Sequence, residues 1–437
     1  MTGLCPKCGK LIESKEVVEG GLVYLQKICP EHGIEKALIS TDSAYWNWAM
    51  KYNRPGRKPF RWSSTIDEGC PEDCGICPSH KQHTCVGIIE ITGACNLECN
   101  VCFADAPFGE HLPLDTIKSM IESFVSNESN PEILQLSGGE PTLHPDLIKI
   151  IEYAKMMEIE DVVVSTNGLK LLDINFAKEL KRVGAVIYLQ FDTFSSKVSE
   201  LIRGKDLVQQ KHEIVEVCNE LGFTTVLVPT LIKGINDGEI GQLISYALKQ
   251  PSVFGINFQP FCDTGRIEFD NASSLRVDEI LRLIEKETNG SHTFGEFRPI
   301  PCPHPHCTAI SYILVDNETN EVTPLTEIVD VDEYIDYGKD RTLVSKSILK
   351  DESFESIFST SAVAGTERTT DSFCSACGIS VHDLRGQTVK TIAVHAFMDR
   401  DSYQLERAQK CCIHVIQPDG KMIPFCNYNL IHNSRTD

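Results

Sequence analysis

The sequence predicts an α/β fold built on a parallel sheet, and three observations carry that expectation. Apolar runs of strand length alternate with helix-period segments from Cys85 to about Gly265. The runs are continuously apolar rather than alternating, as strands buried on both faces must be. Each intervening segment carries one apolar stripe at i, i+3, i+4 and i+7, the mark of a helix laid against such a sheet.

In chain order the predicted strands are 86–91, 133–136, 162–165, 186–191, 225–230 and 255–260. The helical stripes between them include Ile117/Met120/Ile121/Phe124, Leu147/Ile150/Ile151/Ala154, Ile214/Val217/Cys218/Leu221 and Ile240/Leu243/Ile244/Ala247. Asp115 is placed to cap the first of these helices. Polar residues gather where strands end: Ser165 and Asn167 after the third, Gln190 and Asp192 at the fourth, Gln259 at the sixth. In parallel α/β architectures chemistry collects at those carboxyl ends.

A chain of 437 residues allows about three domains of ordinary size. No apolar run approaches the roughly 20 residues of a membrane span, and the amino terminus shows no basic segment followed by an apolar one. The net charge of −21 disfavours an extended nucleic-acid footprint. Nineteen cysteines without an export signal argue for metal ligation in a reducing, anaerobic cytoplasm rather than for disulfides.

Two motifs sit at successive strand ends. Cys95-Asn96-Leu97-Glu98-Cys99-Asn100-Val101-Cys102 is a C-x3-C-x2-C run after the first strand. Three thiolates can hold three irons of a cubane cluster and leave the fourth without a protein ligand. A zinc site or a ferredoxin-type cluster is the simpler alternative. After the second strand comes Ser137-Gly138-Gly139-Glu140-Pro141-Thr142, in which two glycines permit close backbone approach and a carboxylate can accept from an ammonium group.

Together these motifs resemble those of the radical SAM enzymes. The resemblance implies a partial (β/α)6 barrel and a [4Fe–4S] cluster on Cys95, Cys99 and Cys102. It further implies that the open iron binds S-adenosylmethionine, whose reductive cleavage gives a 5′-deoxyadenosyl radical. Gly138, Gly139 and Glu140 would meet the methionine amino group, and Ser165, Asn167, Gln190 and Asp192 the ribose or carboxylate. Arg203 would meet the methionine carboxylate. The residue before the third cysteine is usually aromatic in that family and packs on adenine; here it is Val101, followed by Phe103.

The other cysteines are grouped. Cys5-Pro6-Lys7-Cys8 and Cys29-Pro30-Glu31-His32 resemble a rubredoxin or zinc-ribbon knuckle for a mononuclear iron or zinc. Cys70, Cys74 and Cys77 form a second C-x3-C-x2-C, read as an auxiliary cluster site with Cys85 or His80 as candidate fourth ligand. Near the carboxyl end Cys302, Cys307, Cys374, Cys377, Cys411, Cys412 and Cys426 could supply ligands for a further cluster, giving one or two auxiliary [4Fe–4S] clusters in all. The expected organisation is therefore a metal knuckle and linker over 1–62, an auxiliary cluster segment over 63–84, the barrel over 85–270 and a cysteine-rich domain over 271–437.

All three tryptophans, Trp46, Trp48 and Trp62, bracket Lys51, Arg54, Arg57, Lys58 and Arg61. Such interleaving suits a membrane interface or a phosphate-bearing headgroup, so a peripheral contact with the inner membrane face is expected; a solvated linker is the plainer reading. From CPKC and CPEHG through GCPEDCGICPSHK, SGGEPTLHPDL, STNG, YLQFD, GINFQPF and CPHPHC to IPFCNYN, the chain resembles the group that contains archaeal tetraether lipid synthase. That group is also described as a dihydropterin dimethyltransferase family. The resemblance implies hydrogen abstraction from an unactivated carbon, with the joining of isoprenoid lipid chains as the main expectation. Radical C-methylation of a dihydropterin, the carbon coming from a reduced folate-type donor, is the alternative. A non-catalytic iron–sulfur or zinc electron-transfer scaffold is a reading of another class. The enzyme readings imply a ferredoxin- or flavodoxin-type reductant. The shape of the cavity above the barrel separates them: long and apolar for a lipid, small and polar for a pterin.

Overall fold

The computed structural model describes residues 1–104, 106, 109–128, 131–267, 273–328, 330, 332 and 387–432. Four antiparallel strands, β1 (Thr2–Leu4), β2 (Leu11–Glu19), β3 (Leu22–Cys29) and β4 (Gly33–Ser40), form a ribbon sheet in the order β1-β2-β3-β4. A short helix α1 (Ser43–Ala49), capped by the Asp42 carboxylate, leads away from it.

Six parallel strands follow: β5 (Val86–Thr92), β7 (Ile133–Gly138), β8 (Asp161–Thr166), β9 (Val186–Gln190), β10 (Thr225–Val228) and β12 (Val253–Pro260). They are neighbours in that order, with β6 (Val101–Cys102), β11 (Thr230–Leu231) and β13 (Arg266–Ile267) as short pieces at their carboxyl ends. Every strand expected from the sequence falls on one of these. The helices α2 (Leu114–Glu128), α3 (Leu147–Met156), α4 (Ile174–Arg182), α6 (Val208–Leu221) and α7 (Ile240–Lys249) bury their apolar stripes against the outer face, and the short α5 (Ser196–Arg203) precedes α6. Asp115 lies inside the first turn of α2 rather than before it, where its charge still favours the helix amino end.

The described residues of the 271–437 segment build no sheet of their own. Strands β14 (Thr308–Asp316) and β16 (Gln387–His395) extend the barrel sheet beyond β12, with β15 (Val322–Pro324) antiparallel to β14, and β17 (Ile413–Ile416) pairs in parallel with β5 at the opposite edge. The carboxyl-terminal chain thus closes on both edges of the barrel, because open strand edges left by six strands are satisfied by the nearest continuous β-formers. No helix among the described residues is long and apolar enough to cross a membrane.

The tryptophan segment is mostly a packed joint. Trp46 is buried, stacks on His306 with ring centroids 3.4 Å apart and donates its Nε1–H to Glu16 at 3.0 Å. Trp48 packs against the barrel core beneath the Arg298 guanidinium. Trp62 alone of the three is exposed. Two of the three aromatic rings expected at a membrane surface are therefore spent on docking ribbon to barrel, which their large area favours.

Candidate active site and metal centres

The cluster loop leaves the end of β5 and is fixed on both flanks. Cys102 lies in β6, which pairs with β13, and Arg266 of β13 donates to the Cys99 carbonyl at 3.1 Å. Asn100 reaches the Leu201 carbonyl at 2.8 Å. Cys95, Cys99 and Cys102 are half-buried and face one cavity of about 270 Å³ in the barrel lumen. Burial pushes the Cys95 thiol up to about 11, and raises Cys99 too, against the pull of the Arg203 guanidinium. Three thiols on one face, with a cavity where a fourth ligand would stand, fit a cubane cluster with one open iron.

The Gly138-Gly139 step is imposed by contact. A Cβ on Gly138, which has φ +116°, would meet the Thr92 carbonyl oxygen at 2.1 Å, and one on Gly139 the Ala94 oxygen at 2.2 Å. Only glycine lets β7 approach the start of the cluster loop so closely. Glu140 is engaged by the protein itself. Its carboxylate is buried and accepts from the Thr142 N–H and hydroxyl, the Thr166 hydroxyl at 2.6 Å and the Asn167 N–H at 2.8 Å. It clasps the second and third strand-end loops together, because four protein donors already surround it.

Arg203 and Asp192 are likewise engaged with each other. Arg203 Nε and a terminal nitrogen each donate to Asp192 at 2.8 Å, and Thr230 N–H donates to the same carboxylate at 2.8 Å. Burial opposes ionisation of Asp192, yet Arg203 holds it below the usual carboxylate range. The guanidinium also reaches the Val101 carbonyl at 3.3 Å, so the pair braces the third-cysteine turn. Ser165, Asn167 and Gln190 line the cavity as expected. Asn167 bonds Asn96 of the cluster loop at 2.7 Å, and Gln190 donates to Asp192.

Lys211 is one residue that sequence reasoning missed. It is fully enclosed on α6 and donates to the Asn167 carbonyl at 2.5 Å and to Gln190 at 3.0 Å. Burial lowers it to about 7. Its signal was a charge in an apolar stripe, since Lys211 shares the buried face with Ile214, Val215 and Cys218.

The ribbon holds a different kind of site. Cys5, Cys8, Cys29 and His32 bring their ligand atoms within 4.8 Å of one another, with His32 Nδ1 at 3.5 Å from Cys5 and 3.4 Å from Cys29. Three thiols and an imidazole on two knuckles fit a closed tetrahedral metal site. A second convergence, His83, Cys85 and Cys302, lies at the amino end of β5. Hydrogen bonding to Cys302 and Cys412, with burial, pushes the Cys85 thiol well above its ordinary value. Cys85 therefore groups with Cys302 and Cys412, because it immediately precedes β5 and its N–H donates to the carbonyl of Cys412, just ahead of β17, at 2.9 Å. His80 is held instead by the Cys411 carbonyl at 2.8 Å and by His414.

Cys70 is pushed up to about 12 by burial and by Cys74 and Cys77, and Cys74 accepts from Asn427 at 3.2 Å. Cys307 accepts from Arg407 at 3.3 Å, and Cys426 from the Met398 N–H at 3.5 Å. Cys374 and Cys377 lie outside the described residues.

A parallel barrel with a three-cysteine loop and a glycine step at adjoining strand ends defines a radical SAM enzyme. The chain matches the Radical SAM superfamily over residues 89–247 and the HMPTM N-terminal zinc ribbon domain over residues 1–41. A 7,8-dihydro-6-hydroxymethylpterin dimethyltransferase of Methanocaldococcus jannaschii is 32% identical, over 99% of this chain and 94% of that protein. A GTP 3′,8-cyclase of Aquifex aeolicus is 30% identical, over 52% of this chain and 70% of the cyclase. Among solved structures, SuiB of Streptococcus suis bound to S-adenosylmethionine aligns with 47% of this chain and 47% of its own, at TM-score 0.41 and 18% identity. The chain belongs to the radical SAM superfamily, in the family of the Methanocaldococcus jannaschii dimethyltransferase, and carries an amino-terminal zinc ribbon.

Proposed function

We propose that the protein is a radical SAM C-methyltransferase acting on a dihydropterin, with the methyl carbon drawn from a reduced folate-type donor. The observation that carries this reading is the polar part of a mixed lumen lining: Glu90, Gln135, Ser137, Ser165, Tyr188 and Asn257 face the cavity between the cluster loop and the barrel floor, beside apolar groups such as Val86, Ile88, Val228 and Phe397. A chain of methylenes offers these groups no hydrogen bonds and would leave them desolvated; a small heterocycle offers several. The lipid-joining expectation therefore gives way to its alternative, which the full-length dimethyltransferase relative also supports.

Cys95, Cys99 and Cys102 would hold the cluster, which when bound supplies the electron for reductive cleavage of S-adenosylmethionine. Everything else is positioning. Glu140 locks the second and third loops, the Asp192–Arg203 pair braces the loop carrying the third cysteine, and Lys211 sets Asn167 and Gln190. Cys85, Cys302 and Cys412 with His83 would hold an auxiliary centre at the far end of the barrel, on the route of a ferredoxin- or flavodoxin-type electron donor. The test is product analysis. Anaerobic holoenzyme given reductant, S-adenosylmethionine, methylene-tetrahydrofolate and 7,8-dihydro-6-hydroxymethylpterin should yield a pterin heavier by one or two methyl groups. Production of 5′-deoxyadenosine with no change in the pterin would overturn the reading.

A further inference from the structure

We propose that the middle of the barrel lumen is a docking shelf for a 2-amino-4-oxopyrimidine ring, with Glu90 as its recognition carboxylate and Asn257 as a second acceptor. This deepens the pterin reading and rests on it. Strand register carries the shelf. Glu90 of β5 stands opposite Ser137 of β7, and Ser165 of β8 stands opposite Tyr188 of β9. Because Leu136 pairs with Val164, Ser137 and Ser165 are level too, so four adjacent strands contribute one polar row. Beneath it lies an apolar floor of Val86, Ile88, Ile133, Val163, Val186 and Val226.

The row is set to accept. The Tyr428 hydroxyl donates to Glu90 Oε2 at 2.7 Å, which fixes the carboxylate at the lumen wall. Asn257 turns its amide N–H toward the Tyr188 hydroxyl, and that orients its carbonyl oxygen. Asn257 Oδ1 is enclosed without a hydrogen-bond partner, in a residue only 8% exposed that borders the cavity. A buried acceptor left unpaired is costly, so a ligand N–H there is favoured. A 2-amino-4-oxopyrimidine has an amino group beside a ring N–H, two parallel donors that match a carboxylate. The remaining amino hydrogen, and in the 7,8-dihydro form the N8–H of the fused ring, suits the amide oxygen, and the flat face suits the floor.

The probes are 6-hydroxymethylpterin and 6-hydroxymethyllumazine, in which a carbonyl replaces the 2-amino group and would confront the carboxylate. Equilibrium dialysis with the anaerobic holoenzyme should show the pterin bound at least ~30-fold more tightly, and Glu90→Gln should bring the two within about threefold. A loss of folding would weaken both ligands alike, so the ratio reports on recognition alone. Should Glu90→Gln not fold, Glu90→Asp, which withdraws the charge by one methylene, should cut the preference about tenfold. A preference unchanged in either variant overturns the shelf while leaving the pterin reading standing. Wild-type enzyme that binds neither probe overturns both.

Discussion

The ribbon and the barrel loop each present thiols, but they do so in opposite ways. In the ribbon, Cys5, Cys8, Cys29 and His32 converge within 4.8 Å, so one ion would have every position filled by protein. In the barrel, Cys95, Cys99 and Cys102 face a cavity and do not converge in that manner among the described residues. Four donors on two hairpin turns make a closed site, whose binding energy goes into folding. Three donors on a loop at a strand end leave a position for a reactant. The difference teaches that the count of thiols says little; what matters is whether the fourth position points at protein or at a cavity.

The largest effect should come from emptying the open site. Substituting Cys95, Cys99 and Cys102 together by Ala should abolish 5′-deoxyadenosine formation while the ribbon metal remains in the purified protein. Metal analysis showing that the ribbon ion had gone as well would mean that the two sites are not independent. Next is Gly139→Ala, which places a Cβ against the Ala94 carbonyl at 2.2 Å. A displacement of the loop by about 1 Å should lower the rate about a hundredfold, with the ribbon metal again retained.

The closed site predicts the converse. Cys29→Ser should release the ribbon ion and lower Tm, read by metal analysis and calorimetry, while the visible absorbance of the iron–sulfur centres persists. Arg203→Ala should cost about 3–5 kcal/mol of stability, because it leaves the Asp192 carboxylate buried and unpaired. The sign of the pH dependence follows from Asp192. Its folded value is depressed, so the pair's stabilisation is present above the unfolded carboxylate value of about 4 and is lost as pH falls through the lower folded value. Asp192→Asn should therefore flatten the acid limb of stability against pH. The smallest effect belongs to Lys211. Its folded value of about 7 lies below the ordinary one, so its burial penalty is relieved as pH rises from 7 toward 10.5. Lys211→Met should remove that rise in thermal melts and raise the KM for S-adenosylmethionine through Asn167 and Gln190.

Much of this was legible in the sequence, and the rest was not for identifiable reasons. The six strands showed because continuous apolar runs have one sensible place in a parallel sheet. The cluster loop and the ribbon showed because metal ligands must be spaced closely in the chain. Glu140, Asp192 and Arg203 were seen as site residues, but spacing cannot reveal that Asp192 and Arg203 answer each other across 11 residues. The grouping of Cys85 with Cys302 and Cys412 was hidden because β17 joins β5 from the far end of the chain. Glu90 and Asn257 passed unnoticed for a related reason: a lone polar residue inside an apolar strand gains meaning only when register sets it beside others. The packing of Trp46 and Trp48 was hidden because aromatic and basic residues at a domain joint have the same composition as those that meet a membrane.

The most direct test of the central claim sets the two substrates against each other. Holoenzyme is given 7,8-dihydro-6-hydroxymethylpterin and a methylene donor together with archaeal diether lipid deuterated at its terminal methyl groups. The polar groups in the lumen predict methylated pterin and 5′-deoxyadenosine free of lipid deuterium. Deuterium carried from the lipid into 5′-deoxyadenosine, with the pterin recovered unchanged, would contradict the account.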